Sequence, residues 1–140
     1  MPKKWTHTAA FAAFGTTPRN TQWSWSARSD DGKTVVVNLW QDRFKSEGGR
    51  LIYARPAYSP RERKGRGFKE WVRNLAWARD HCEGRLHVII AIAKDPNASP
   101  RSIAECFPSK MVMRLIEFDP VTGAFVAEAE STRELSRTAG

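Results

Sequence analysis

Three tryptophans, Trp23, Trp25 and Trp40, carry the most distinctive chemistry of this sequence. Strand-like runs flank Asp31-Gly32, a pair that is typical of a two-residue hairpin turn with positive φ at both positions. In that register Trp25 faces Asn38 and Trp23 faces Trp40. An indole ring stacks on a nucleobase with about 1–3 kcal/mol, and an Asn38 amide can bond to the edge of a base. The spacing therefore predicts a base-binding face on this hairpin.

The alternation of side chains along each strand separates the hairpin into two faces. Trp23, Trp25 and Ala27 share one face with Val36, Asn38 and Trp40, and the other face holds Ser24, Ser26, Arg28, Val35, Val37 and Leu39. The valines and the leucine can supply the core, which leaves the tryptophans available for a pocket. Core packing is the alternative for each tryptophan, because large aromatic side chains are usually buried.

A basic segment follows the third predicted strand. Its candidate phosphate ligands are Arg61, Arg63, Lys64 and Arg66 on a glycine-flanked loop, with Lys69 and Arg73 one turn apart on the next helix. Residues 43–85 hold 12 of the 23 Lys and Arg residues but only 5 of the 15 Asp and Glu residues, in a chain of net charge +8. Such clustering favours a polyanionic partner, most often nucleic acid. The alternative is a solvated cationic loop.

Residue patterns for catalysis are weak. His7, His81 and His87 are isolated in the sequence, and Cys82 and Cys106 form no CxxC pair or zinc-ligand spacing. The glycines of the basic segment lack the spacing of a phosphate-binding loop. The apolar strand predicted at 86–93 carries no carboxylate for a metal-dependent nuclease. We therefore expect no enzyme activity, no cofactor and no metal.

These residues must be positioned by an α+β domain spanning residues 1–140, with 131–140 as a polar tail that frays. We predict helices at about 6–14, 68–82 and 101–107, and strands at 50–54, 86–93, 111–118 and 124–130 besides the hairpin. The order indicates a mixed, mostly antiparallel sheet that is curved or curls into a barrel. No apolar run approaches the ~20 residues that span a bilayer. The two cysteines suit reduced thiols, so we expect a cytoplasmic protein without membrane partners.

The hairpin also carries a family resemblance. The chain resembles PUA-like domains in four features: the motifs Trp-Ser-Trp-Ser at 23–26 and Asn-Leu-Trp-Gln-Asp at 38–42, the basic loop, and the element order. That group includes the EVE, YTH and SRA-type domains that read modified bases, and the hairpin is similar to specificity domains of bacterial modification-dependent restriction systems. The resemblance implies a PUA-like β-barrel with flanking helices, an aromatic base pocket and a separate nuclease subunit.

The sequence thus predicts a non-enzymatic domain that reads a flipped base, modified or not, in DNA. The base would contact Trp23, Trp25, Asn38 and Trp40, and the phosphates would contact the six cations of the basic segment. One alternative is an RNA-binding PUA-like module. Another is a small enzyme or ligand-binding domain whose basic loop recognises a phosphorylated metabolite or nucleotide.

Overall fold

The protein is described by a computed structural model, which places residues 5–17, 25–98 and 102–130. Its elements are α1 (His7–Ala12), β1 (Ser26–Arg28), β2 (Val35–Trp40), β3 (Phe44–Glu47), β4 (Arg50–Arg55), α2 (Arg66–His81), β5 (Arg85–Ala93), β6 (Ile103–Phe118) and β7 (Phe125–Ala129). Short 3₁₀ turns lie at Gln41–Arg43 and Glu62–Lys64. The α+β class is as predicted. Trp23 and the 131–140 tail lie outside the described residues.

All seven strands form one sheet in the order β1-β2-β5-β6-β7-β4-β3. Strands β2 and β5 are parallel, and the other five neighbouring pairs are antiparallel. The mixed, mostly antiparallel sheet is therefore confirmed. The barrel alternative is wrong for the described strands, because β1 and β3 are the two ends of the sheet and do not pair with each other.

The sheet is assembled from three units that are local in sequence. These are the β1–β2 hairpin, the β3–β4 hairpin and the β5–β6–β7 meander. The units meet along two long-range pairings, β2 with β5 and β4 with β7. The meander therefore lies at the centre, and the hairpins flank it.

The β1–β2 hairpin has the predicted register. Arg28 pairs with Val35, and the backbone N–H of Asn38 donates to the carbonyl oxygen of Trp25 at 2.9 Å. The predicted turn is wrong, because Gly32 has a positive φ of 72° whereas Asp31 does not. Instead, Asp31 Oδ1 accepts from Ser29 Oγ and from the backbone N–H of Lys33, which lowers the pKa of this carboxyl. These bonds stabilise a longer loop.

Both faces of the central strands are covered by helices. The face that holds Val35, Val37 and Leu39 packs against the apolar stripe of α2, in which Trp71 and Leu75 are buried. The opposite face, with Val36, packs against α1. Neither helix, nor any other helical segment that the structure describes, is long and apolar enough to cross a membrane.

Two predicted elements differ from the structure. The helix predicted at 101–107 is wrong where it is described, because β6 begins at Ile103 and Cys106 pairs with Ala91 of β5. Pairing beside a buried strand outweighs the local helix-start signal of Ser99-Pro100. Residues 44–47, which received no element from the sequence, form β3 against β4.

Candidate nucleic-acid interface

A shallow groove runs between α2 and the β6–β7 turn. It is lined by Arg63, Phe68, Lys69, Val72, Arg73, Pro120 and Val121. The cations belong to α2 and to the turn before it, and the remaining side chains form an apolar floor. Val121 is 69% exposed, which is unusual for a large apolar side chain. Cations beside an apolar surface suit a nucleic-acid strand, whose phosphates and bases need these two kinds of contact.

The groove contains half of the predicted phosphate ligands. Arg63, Lys69 and Arg73 line it, as the one-turn spacing of the last two on α2 predicts. Arg61, Lys64 and Arg66 are exposed but do not line the groove. The structure therefore brings three of the six cations together and leaves the other three on the surrounding surface.

The basic segment is an ordered turn rather than a free loop. The backbone N–H of Ser59 donates to Glu62 Oε1 at 2.9 Å, and the backbone N–H of Glu62 donates to Ser59 Oγ at 3.2 Å. Arg55 adds an ion pair to Glu62 at 3.1 Å. The Ser59 N–H is the main cause of the lowered pKa of the Glu62 carboxyl. This reciprocal capping arrangement fixes the turn that presents Arg63 to the groove.

Close packing at Gly123 positions the floor of the groove. A Cβ atom at Gly123 would lie 2.5 Å from the Phe68 ring and 2.7 Å from the Tyr58 ring, and its φ is 77°. The Arg55 guanidinium lies over the Tyr58 ring at 3.9 Å. The β6–β7 turn therefore approaches α2 as closely as it does because residue 123 has no side chain.

A cavity of about 180 Å³ adjoins the groove. It is lined by Thr17, Ala27, Arg28, Glu70, Arg73 and Asn74. Arg73 belongs to both the cavity and the groove. Glu70 and Asn74 are each only 5% exposed. Asn74 Nδ2 donates to Ser26 Oγ at 2.8 Å, whereas Glu70 Oε1 has no hydrogen-bond partner.

Trp77 positions the arginine at the mouth of this cavity. Its Nε1 donates to the carbonyl oxygen of Gly32 at 2.7 Å, which ties the hairpin turn to α2. The Arg28 guanidinium lies over the Trp77 ring at 4.3 Å, within cation–π range. Trp77 is partly buried against the α2 core, and its ring orients Arg28.

Glu70 and Asn74 were missed by the sequence reasoning. A signal was present, because they are polar residues four apart that each precede a buried residue of the α2 stripe, Trp71 and Leu75. Residues at that spacing share a helix face. A carboxylate so close to the apolar stripe indicates either an edge position or a buried site, and the sequence alone does not distinguish them.

Three of the four predicted base ligands, Trp25, Asn38 and Trp40, form a separate aromatic cluster with His7, and Trp23 lies outside the described residues. The rings of Trp25 and Trp40 have centroids 5.3 Å apart at 49°, and both residues are half-buried. Because the rings contact each other, a base would stack on an outer face of the pair rather than between them. Asn38 is 3% exposed; its Nδ2 contacts His7 Nε2, and its Oδ1 has no partner.

The sheet separates the polar part of this cluster from the groove. Asn38 shares its face with Val36 and contacts His7 of α1, whereas the groove and cavity are built on α2. The base-binding and phosphate-binding residues that the sequence combined into one site therefore lie in two places.

Among the described residues there is no group of three or more His, Cys, Asp or Glu side chains that could hold a metal ion. Comparison of the chain with protein-family models, curated proteins and solved structures gives no significant match.

Proposed function

We propose that the protein is a non-enzymatic nucleic-acid-binding domain and that a phosphate backbone lies in the groove along α2. The observation that carries this proposal is the convergence of Arg63, Lys69 and Arg73 around an apolar floor with no acidic side chain among the lining residues. Three cations at one groove attract a chain of phosphates without reading its sequence.

The distribution of charge supports the same proposal. The chain carries +8, and its excess of Lys and Arg is concentrated in residues 43–85, a segment that includes α2 and the preceding turn. A field of one sign along a groove raises the local concentration of a polyanion and speeds its association.

We propose DNA rather than RNA as the ligand, because the hairpin resembles domains that read modified bases in DNA. In that proposal a base stacks on the outer face of the Trp25–Trp40 pair. Asn38, which was predicted to contact the base, is 3% exposed and its unpaired Oδ1 is buried, so the tryptophans carry this contact. A separate nuclease subunit as a partner belongs to the same resemblance. An RNA-binding domain would use the same groove, so the ligand panel must include both nucleic acids.

The groove is tested by the double charge reversal Lys69→Glu and Arg73→Glu. Its matched control is Lys45→Glu with Lys110→Glu, which changes the net charge equally on exposed strand positions. Binding is measured by fluorescence anisotropy on single-stranded DNA, duplex DNA and RNA over a range of salt concentrations. We expect weaker binding for the groove variant and a salt slope on duplex DNA shallower by about 0.9 for each phosphate that the variant no longer neutralises. Equally weakened binding in both variants would mean that net charge alone governs binding.

A further inference from the structure

The Glu70 carboxylate occupies an unusual position. It is 5% exposed, lines the cavity beside the groove, and has an oxygen without a hydrogen-bond partner. Removing a carboxylate from water without compensation is costly, and buried charges in proteins are normally paired. The Glu70 side chain thus lines the cavity while its Oε1 is buried without a partner, and such a carboxyl group suits a ligand that brings N–H donors.

The same cavity also presents positive charge. Arg28 and Arg73 line it, and Arg28 is held over the Trp77 ring. A ligand that satisfies all three groups carries N–H donors on one part and an anionic group on another. A nucleotide whose base has an exocyclic amino group meets both requirements, with the amino edge at Glu70 and the phosphate at the arginines.

The size of the cavity limits what enters. Its volume of about 180 Å³ lies below the ~300 Å³ at which pockets for drug-sized ligands begin. One planar base is therefore the largest group that this space suits. Because Arg73 also borders the groove, a strand lying there brings a neighbouring nucleotide to the mouth of the cavity.

We propose that this cavity binds the amino-bearing edge of one unpaired nucleobase of a strand held in the groove, with Glu70 as the acceptor. The inference rests on the proposed nucleic-acid function and adds base preference to it. Cytosine, adenine and guanine offer an amino group to a carboxylate, as cytosine N4 does to Glu in DNA recognition. Thymine and uracil offer one N–H between two carbonyl oxygens, and those oxygens repel the carboxylate.

The test uses single-stranded oligothymidylate probes in which one central nucleotide is thymine, cytosine, adenine or guanine. Fluorescence anisotropy measures their affinity for the wild-type protein, for Glu70→Gln and for the control Glu117→Gln. Glu117 is exposed on β6, so the control removes one negative charge away from the cavity. We expect the wild-type protein to prefer at least one amino-bearing base over thymine by about fivefold to 100-fold.

In Glu70→Gln that preference falls to less than twofold, because the neutral amide no longer repels the thymine oxygens, whereas Glu117→Gln keeps the wild-type preference. A wild-type preference that persists in Glu70→Gln overturns the inference. Equal wild-type affinity for all four probes overturns the inference and leaves the proposed function standing. A wild-type protein that binds duplex DNA or RNA but none of these probes overturns the inference alone, and one that binds no nucleic acid at low salt overturns the proposed function itself. Tighter binding of a free mononucleotide than of any probe makes the cavity a metabolite site and also overturns the inference. The preference is first measured on the wild-type chain, so the test does not depend on the folding of a variant.

Discussion

The two sides of the sheet each bury a polar side chain with an unpaired oxygen, but the two side chains differ in charge. On the α1 side Asn38 is a neutral amide in contact with His7, and on the α2 side Glu70 is a carboxyl at the wall of a cavity. A buried neutral amide that lacks one bond costs far less than a buried carboxylate with an unpaired oxygen. Asn38 is therefore compatible with a structural role, whereas the burial of Glu70 supports the proposed ligand site.

The comparison also separates two kinds of functional signal. Tryptophans in a sequence suggest a binding site because they are rare, large and able to stack on a base. In the structure, however, Trp25 and Trp40 contact each other and Trp25 packs against the apolar core. Glu70 and Asn74 do not suggest a binding site from the sequence, and only the folded chain shows that they are buried in a cavity also lined by arginines. A buried polar atom without a hydrogen-bond partner is the more informative signal here, because it indicates which kind of group, a hydrogen-bond donor, the site lacks.

The largest expected effect separates core from surface tryptophans. Trp71 is 5% exposed in the α2 core, so Trp71→Ala should lower the free energy of unfolding by about 3–5 kcal/mol. Trp25→Ala and Trp40→Ala should cost clearly less, because both residues keep solvent-exposed surface. At least one of these two should instead weaken DNA binding by the ~1–3 kcal/mol that a base stack contributes. Chemical denaturation and anisotropy on the same preparations provide both numbers.

Two results would break the comparison between the sheet faces. If Trp25→Ala and Trp40→Ala unfold as easily as Trp71→Ala, the aromatic cluster is core and the base-stacking proposal loses its support. If both variants remain stable and bind DNA as the parent does, the cluster is surface without a role in binding, and the α2 side alone carries recognition.

A smaller effect is expected at the turn that presents Arg63. Ser59→Ala removes the side-chain acceptor for the Glu62 N–H, which should cost about 1 kcal/mol of stability, as the removal of other caps does. DNA affinity should fall slightly, because the turn must then be ordered on binding. Ser46→Ala, exposed on β3, is the matched control. A drop in affinity much larger than the drop in stability would show that Ser59 itself contacts the ligand.

The smallest expected effect is the pH dependence of stability caused by His87, on the side of the sheet that α1 covers. His87 pairs with Val36 and contacts the Phe14 ring at 5.6 Å; burial lowers its pKa, while Arg85 lowers it further and Glu130 opposes this. The unfolded chain therefore binds a proton more readily, and stability should fall as pH drops below the ordinary histidine value near 6.5. His87→Gln should lose less stability than the wild type between pH 7.5 and 5.5 in chemical denaturation. Parallel curves for the two proteins would exclude this contribution.

Much of the fold was predictable because the responsible signals are local. The first two helices and the hairpin register depend on residues that are near each other in sequence, and the structure has all of them. The failure at 101–107 has the opposite cause. Residues 103–107 are a strand because β5, from an earlier part of the chain, lies beside them as a pairing partner.

The candidate site was predictable only in part for the same reason. The spacing of Lys69 and Arg73 on one helix is a local property, and both residues line the groove. The apolar floor at Val121 and the pairing of Arg28 with Trp77 depend on how distant segments pack. No spacing rule relates those segments, so the groove and its cavity became visible only in the folded chain.

The assembly of the sheet from three local units has a consequence for how the chain folds. The hairpins and the meander form contacts between neighbours in sequence, which close quickly. The pairing of Val36 with His87 and of Ile52 with Glu128 must close far longer loops, at an entropic cost that is met before those contacts stabilise the sheet. Refolding should therefore be limited by the docking of the two hairpins onto the meander, on the millisecond-to-second scale of topologies rich in non-local pairs.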